Sequence, residues 1–176
     1  MTLCRSVAML ISLVLVPLTV AAAPPPEPTV EYSADSTMET EGGMTMKSRV
    51  YHTPTKQRME MGGADGSVTI IRKDKKVVWQ VMGDMYMEMP LDQSNAPDMG
   101  GFDIQEQTEV GEETINGLKT TKTKIIATKP DGSKFGGFFW TTKEGVTVKM
   151  DLLSKEGDKK MRMASELTNV KIEKQD

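Results

Sequence analysis

Val146-Thr147-Val148-Lys149-Met150-Asp151-Leu152 sets four apolar side chains on one side of an extended chain and three polar ones on the other. Successive side chains of a strand point to opposite faces, so this segment reads as a half-buried β-strand. The alternation recurs outward from it. Met85-Tyr86-Met87-Glu88-Met89 places three thioethers on one face and Tyr86 and Glu88 on the other. Three further Met-x-Met pairs, Met44/Met46, Met59/Met61 and Met161/Met163, carry Thr45, Glu60 and Arg162 between the sulfurs. Thioethers on flexible stems fit irregular surfaces, so these clusters predict a sheet with one soft, adaptable apolar face.

Around these strands the chain shows no sustained 3.6-residue apolar period. Short alternating or β-branched runs are instead separated by turn residues: Gly42-Gly43, Pro54-Thr55, residues 62–66, Asp74-Lys75, Gly83-Asp84, Asn116-Gly117, Pro130-Asp131-Gly132, Glu144-Gly145 and Gly157-Asp158. Hairpin-length links of this kind predict an antiparallel meander. With one longer connection, residues 90–103, they delimit eleven strands. Asn116-Gly117 is the sharpest turn, since both residues tolerate the positive φ of a type I′ turn. Val77, Trp79 and Val81 share one face of their strand, with Val78 and Met82 making the other partly apolar. In residues 135–140, Phe138 and Trp140 share a face with Gly136, and Phe135 and Phe139 share the other with Gly137. Paired glycines inside a strand predict a bulge, a bend or the close approach of another backbone. The apolar phase shifts from Met161/Met163/Leu167 to Val170/Ile172, which predicts a bulge near Thr168-Asn169. A sheet of this size twists and curls into a sandwich, a closed barrel or an open one.

The N-terminus reads as an export signal over residues 1–23. Arg5 supplies the positive charge, an apolar run follows, Pro17 breaks it, and Ala21-Ala22-Ala23 offers small residues for cleavage. The apolar stretch falls short of the roughly 20 residues that span a bilayer. Residues 24–29 form a stiff Pro-rich leader expected to precede the folded part, and residues 30–173 a single β domain. Cys4 is the only cysteine and departs with the signal, so neither disulfides nor thiolate chemistry are expected in the exported chain. About 150 residues suffice for one domain with a hydrophobic core. The formal net charge is −3 and the charges are interspersed along the chain, with residues 73–76 the densest basic patch. Nucleic-acid binding by counterion release has little to draw on.

Three stretches resemble a known group of proteins. They are residues 68–90, ending in Met85-Tyr86-Met87-Glu88-Met89-Pro90; residues 110–122, containing Gly111-Glu112-Glu113-Thr114-Ile115-Asn116-Gly117; and Phe139-Trp140 followed by Val148-Lys149-Met150. The group is an uncharacterised set of exported bacterial proteins similar to the outer-membrane lipoprotein carriers of the LolA/LolB type, and the likeness runs over residues 32–170. It implies an eleven-stranded, incomplete antiparallel barrel with an apolar interior, placed in the periplasm or outside the cell. The carriers close their mouth with helices, and no helix is legible here. Members of the group also continue into a Phe- and Pro-containing tail, whereas the last residues here, 171–176, are polar; a more open interior is expected.

Catalytic constellations are absent from the sequence. The single histidine, His52, stands at a strand end before Pro54 and reads as a surface residue; it lacks a Gly-x-Ser-x-Gly elbow or a second ligand for zinc. Glu112-Glu113 and Glu39/Glu41 read as solubilising charge, Asp131-Gly132-Ser133 as a turn rather than a calcium loop. The expectation is a binding protein, not an enzyme, with no cofactor and no His/Cys metal site. Its apolar ligand, a lipid, an acyl chain or a lipidated protein, would lie against Met44, Met46, Met59, Met61, Trp79, Met85, Met87, Met89, Met150, Met161 and Met163, with transient membrane contact. Leu91, Met99 and Phe102 of the long connection are candidate lid contacts. Two other readings stay open: a Cu(I) site built from the soft thioethers with His52 adding a nitrogen, and an interaction domain whose methionines are core filler.

Overall fold

The structure is a computed structural model that describes residues 25–63, 66–92, 103–129, 132–156 and 159–175. Eleven strands follow one another: β1 (Tyr32–Thr40), β2 (Thr45–Thr53), β3 (Lys56–Met61), β4 (Val68–Arg72), β5 (Val77–Met82), β6 (Met85–Pro90), β7 (Asp103–Ile115), β8 (Leu118–Thr128), β9 (Lys134–Thr141), β10 (Thr147–Glu156) and β11 (Lys159–Ile172). They form one antiparallel sheet in the order β6-β5-β4-β3-β2-β1-β11-β10-β9-β8-β7. Every pair is a chain-adjacent hairpin except β1 with β11, which joins the two halves. The edges β6 and β7 are unpaired with each other, so the barrel is incomplete. Edge β7 carries Glu106, Glu109, Glu112 and Glu113, charge that discourages another chain from adding a strand there.

Direct cross-strand partners share a face, so the register sorts every side chain. One face carries Tyr32, Ala34 and Met38 of β1, Val50 and His52 of β2, Ile71 of β4 and Val78 of β5. It continues through Met150 and Leu152 of β10, Phe139 of β9 and Ile125 of β8. One cavity is lined together by Tyr32, His52 and Gln57 from β1–β3 and by Phe139, Thr147 and Met150 from β9 and β10, so this is the inside of the curl. The opposite, outer face is built of ion pairs: Arg49–Asp35, Lys122–Glu113, Lys124–Glu106 and Arg162–Asp151, each at 2.7–2.9 Å.

The expected β10 alternation holds from Lys149 to Leu152 and is broken before it by a bulge that turns Thr147 to the inner face, beside Met150 in the cavity lining. Thr147 opposes Thr141 and Lys149 opposes Trp140, leaving an extra residue on β10. Val146 and Val148 are completely buried there, packed with Tyr32 and Ala34 and contacted by Ile115 and Leu118 from the β7–β8 hairpin. Asn116 and Gly117 at the tip of that hairpin have φ of 49° and 81°, as the type I′ turn requires. The Asn116 side chain donates to Glu166 Oε1 and to the Leu167 carbonyl, both at 2.9 Å, pinning the tip to β11.

Both irregularities expected inside strands are present. The β1–β11 register slips between Ser33 and Asp35, and Asn169 takes φ 50°, the bulge anticipated near Thr168-Asn169. Gly137 marks a close approach: a Cβ there would stand 2.0 Å from the Asp151 carbonyl oxygen and 2.9 Å from Leu152 Cα. That approach lets β8–β10 roll into a second cluster, Ile125, Ala127, Phe135 and Phe139, with Ile104, Met150 and Leu152 against it.

Three expectations are corrected. Val78, not Trp79, is the inward residue of β5: it pairs with Ile71 and Met89 and is buried, while Trp79 pairs with Ile70 and Glu88 on the outer face. His52 is 7% exposed rather than a surface residue, because its ring stacks on Tyr32 with centroids 5.0 Å apart. The Pro-rich leader does not stand clear of the fold. The Thr29 N–H donates to the Glu144 carbonyl at 3.0 Å, and Glu27 pairs with Lys73 at 2.8 Å. The Glu27 carbonyl also lies so close to Gly145 that a Cβ there would meet it at 2.5 Å.

Candidate functional site

The register brings the methionines together. Met46 opposes Met38, Met59 opposes Val50 and Thr69, and Met61 opposes Ser48, all on the inner face. Across β5 and β6, Met85 opposes Met82, Met87 opposes Gln80 and Met89 opposes Val78, again on that face. On the far side of β1, Met163 opposes Thr40 and Leu152, Met161 opposes Ser154, and Met150 opposes Ser165 and Phe139. Every methionine within a described strand therefore lies on the inner face. Met38 and Met82, which the Met-x-Met pattern passes over, join the set because the residues opposite them across the hairpins are also methionines.

Two of the expected ligand contacts lie elsewhere. Trp79 sits on the outer face, where its Nε1–H donates to Glu88 Oε2 at 2.6 Å and the cations of Arg72 and Lys75 lie 5.9 and 5.7 Å from its ring. Met44 precedes β2 at the tip of the β1–β2 hairpin, its carbonyl accepting from the Thr40 N–H. Of the lid candidates, Leu91 extends the β5–β6 ladder by donating its N–H to the Lys76 carbonyl at 2.9 Å. Met99 and Phe102 lie outside the described residues.

The inner face has two ends of different character. At the end holding the β2–β3, β4–β5 and β9–β10 turns, a 240 Å³ cavity is lined by Pro25, Pro26, Glu27, Pro28, Tyr32, His52, Lys73, Phe139 and Met150. Burial raises the Tyr32 phenol to a pKa of about 12 and holds the His52 imidazolium below its ordinary value, with a weaker opposing contribution from the Val30 carbonyl 3.4 Å from Nδ1. At the other end, where the β1–β2, β3–β4, β5–β6 and β10–β11 hairpins turn, the apolar side chains are open: Met85 is 70% exposed, Met161 55% and Met87 53%. Lying along extended strands, these thioethers present unburied apolar area rather than a finished core.

His52, the only imidazole in the sequence, is packed on Tyr32 at the leader end, away from the exposed Met85, Met87 and Met161. Among the described residues, no group of three His, Cys, Asp or Glu side chains converges on a metal position. The inner face thus carries an exposed thioether wall at one end and a cavity lined by the Pro-rich leader at the other.

No protein-family model matches the sequence, and neither does any curated protein sequence. Solved structures do resemble the fold. MucB in the Pseudomonas aeruginosa MucA/MucB complex is 14% identical, with a TM-score of 0.51 over 80% of this chain and 51% of that one. MucB alone is 11% identical, at 0.51 over 83% and 54%. The chain thus spans about half the length of MucB. The Mycobacterium tuberculosis lipoprotein LppX is 12% identical over 82% of this chain and 88% of its own, at a lower TM-score of 0.45. A putative outer-membrane lipoprotein-sorting domain from Vibrio parahaemolyticus is also among the structures found, 9% identical at a TM-score of 0.38 over 82% of this chain and 86% of that one.

Proposed function

We propose that the chain is an exported, non-catalytic binding protein whose methionine-lined inner face receives an apolar guest: a lipid, an acyl chain or the acyl chain of a lipidated protein. The observation that carries this reading is the common orientation of all the strand methionines together with the exposure of those on β6 and β11. The export signal expected over residues 1–23 is part of the same proposal. Removing apolar area from water yields about 25 cal/mol per Å², and association itself costs several kcal/mol. A guest covering a few hundred Å² would be held moderately and released readily, which suits transfer more than storage. Adaptable thioethers would admit guests of varied shape. MucB has been solved in complex with MucA, so a related fold engages a protein partner, and a lipidated protein would combine both kinds of contact.

The Cu(I) reading is less favoured, because the one imidazole is buried against Tyr32 rather than among the exposed thioethers. The test is displacement of a fluorescent fatty acid from residues 25–176, with native mass spectrometry of the protein as extracted. Saturable displacement, weakened about tenfold or more in a Met85→Ser, Met87→Ser, Met161→Ser variant of unchanged melting temperature, is expected. A clean apo mass with no displacement by any acyl ligand would overturn the reading.

A further inference from the structure

The outer face of β8–β11 carries a second feature that the binding reading leaves unused. Lys134 of β9 stands directly opposite Lys155 of β10, and Lys155 directly opposite Lys160 of β11. Three exposed ammonium groups thus form one row across three neighbouring strands. Like charges in direct cross-strand register destabilise a sheet, and among the described residues no ion pair compensates any of the three. The neighbouring cations differ: Lys124 is paired with Glu106 at 2.8 Å and Arg162 with Asp151 at 2.7 Å. Below the row lies an open apolar hollow of about 570 Å³, with Ile126, Gly136, Gly137, Phe138 and Leu153 in its lining. Gly136, which faces this side of the sheet, contributes no side chain to the hollow. Leu153 beside it is 48% exposed, and Met161, next in sequence to Lys160, is exposed on the other face.

We infer that this end of the barrel docks onto an anionic membrane surface. The sign of the charge is the complement of an anionic lipid headgroup layer, on a chain whose own net charge is −3. Apolar side chains flanking a cationic row are the combination that seats a peripheral protein at the headgroup boundary. A planar surface meets the lysine row, Leu153 and Met161 together, because they crowd one end of the sheet but lie on both of its faces. An extended acidic peptide in the hollow would meet the row and Leu153 and leave Met161 untouched.

The experiment is cosedimentation of residues 25–176 with vesicles of phosphatidylcholine alone or with phosphatidylglycerol added. Binding should require the anionic lipid, disappear in high salt, and fall about fivefold for each lysine neutralised in a Lys134→Gln, Lys155→Gln, Lys160→Gln variant. Relieving the like-charge row should leave the melting temperature equal or higher, which separates lost binding from lost folding. A Leu153→Ser variant should bind anionic vesicles more weakly without altering the salt dependence. Binding that ignores headgroup charge, or that persists undiminished in the triple variant, would overturn the inference. So would wild-type protein that ignores the vesicles and captures a polyglutamate peptide through the same lysines, which would make the partner a protein. Fatty-acid displacement from the inner face is read by a separate probe and should be indifferent to these lysines, so the two proposals fail independently.

Discussion

The strands β8–β10 and the strands β2–β6 belong to one sheet and share its inner face, yet they spend their apolar side chains differently. In β8–β10 the inner face centres on Ile125, Ala127, Phe135 and Phe139, buried against one another with Met150 and Leu152 beside them. In β3 and β6 the same face is thioether, and Met85 and Met87 remain more than half exposed. The difference follows from backbone curvature. Gly137 lets β10 close in on β9, while at the hairpin end of β6 Met85 and Met87 stay exposed beyond the buried Val50, Ile71 and Val78 of β2, β4 and β5. Stiff side chains fill a closed volume well, and flexible ones suit a surface that must accommodate something else. The rolled region therefore contributes most to holding the fold, and the exposed methionines of β6 form the surface proposed to bind.

The sharpest way to break this contrast is Gly137→Ala. A methyl group at 2.0 Å from the Asp151 oxygen forces β9 and β10 apart, and a loss of about 4 kcal/mol in denaturant unfolding is expected. Ile125→Ala should cost about 3 kcal/mol by leaving a cavity in the rolled half. The matching change in the open half, Met87→Ala, should cost under about 0.5 kcal/mol in the same assay. Equal losses at the two positions would show that the methionine face is core rather than binding surface.

A smaller effect distinguishes the plugged end from the open one. Burial depresses the His52 pKa, so the unfolded chain binds the proton more readily than the folded one. The stability that neutral His52 contributes is present above its unfolded pKa of about 6.5 and is lost as the pH falls from there toward the lower folded value. His52→Gln should flatten the melting-temperature profile across that window, while Met85→Ser leaves its slope unchanged. The smallest expected change is spectroscopic. Removing residues 25–28 should expose the cavity at Tyr32 and move its ionisation down from about 12 toward 10, read as phenolate absorbance during an alkaline titration.

Local signals carried much of this architecture. The alternation around Met150, the Asn116-Gly117 turn, the paired glycines of β9 and the phase shift before Val170 each specify a strand, a hairpin, a close approach or a bulge from neighbouring residues alone. Residues whose meaning depends on a distant strand were read less well. His52 looks exposed beside Pro54 until Tyr32, twenty positions earlier, pairs with it and stacks on its ring. Trp79 and Val78 lie on opposite faces of a strand that is apolar on both, and only the register with Ile71 and Met89 decides which one turns inward.

What the sequence by itself determined is the β character, the number of strands and the presence of a thioether-rich face, because period-two alternation and turn chemistry act over a few residues. The tertiary structure alone decided how those strands combine. Pairing β1 with β11 sets the methionines of both halves on one side, and pairing β9, β10 and β11 lines up Lys134, Lys155 and Lys160, charges that look interspersed along the chain. The physical reason is that a sheet's surface is composed across strands, so residues far apart in sequence become neighbours only when the register is set.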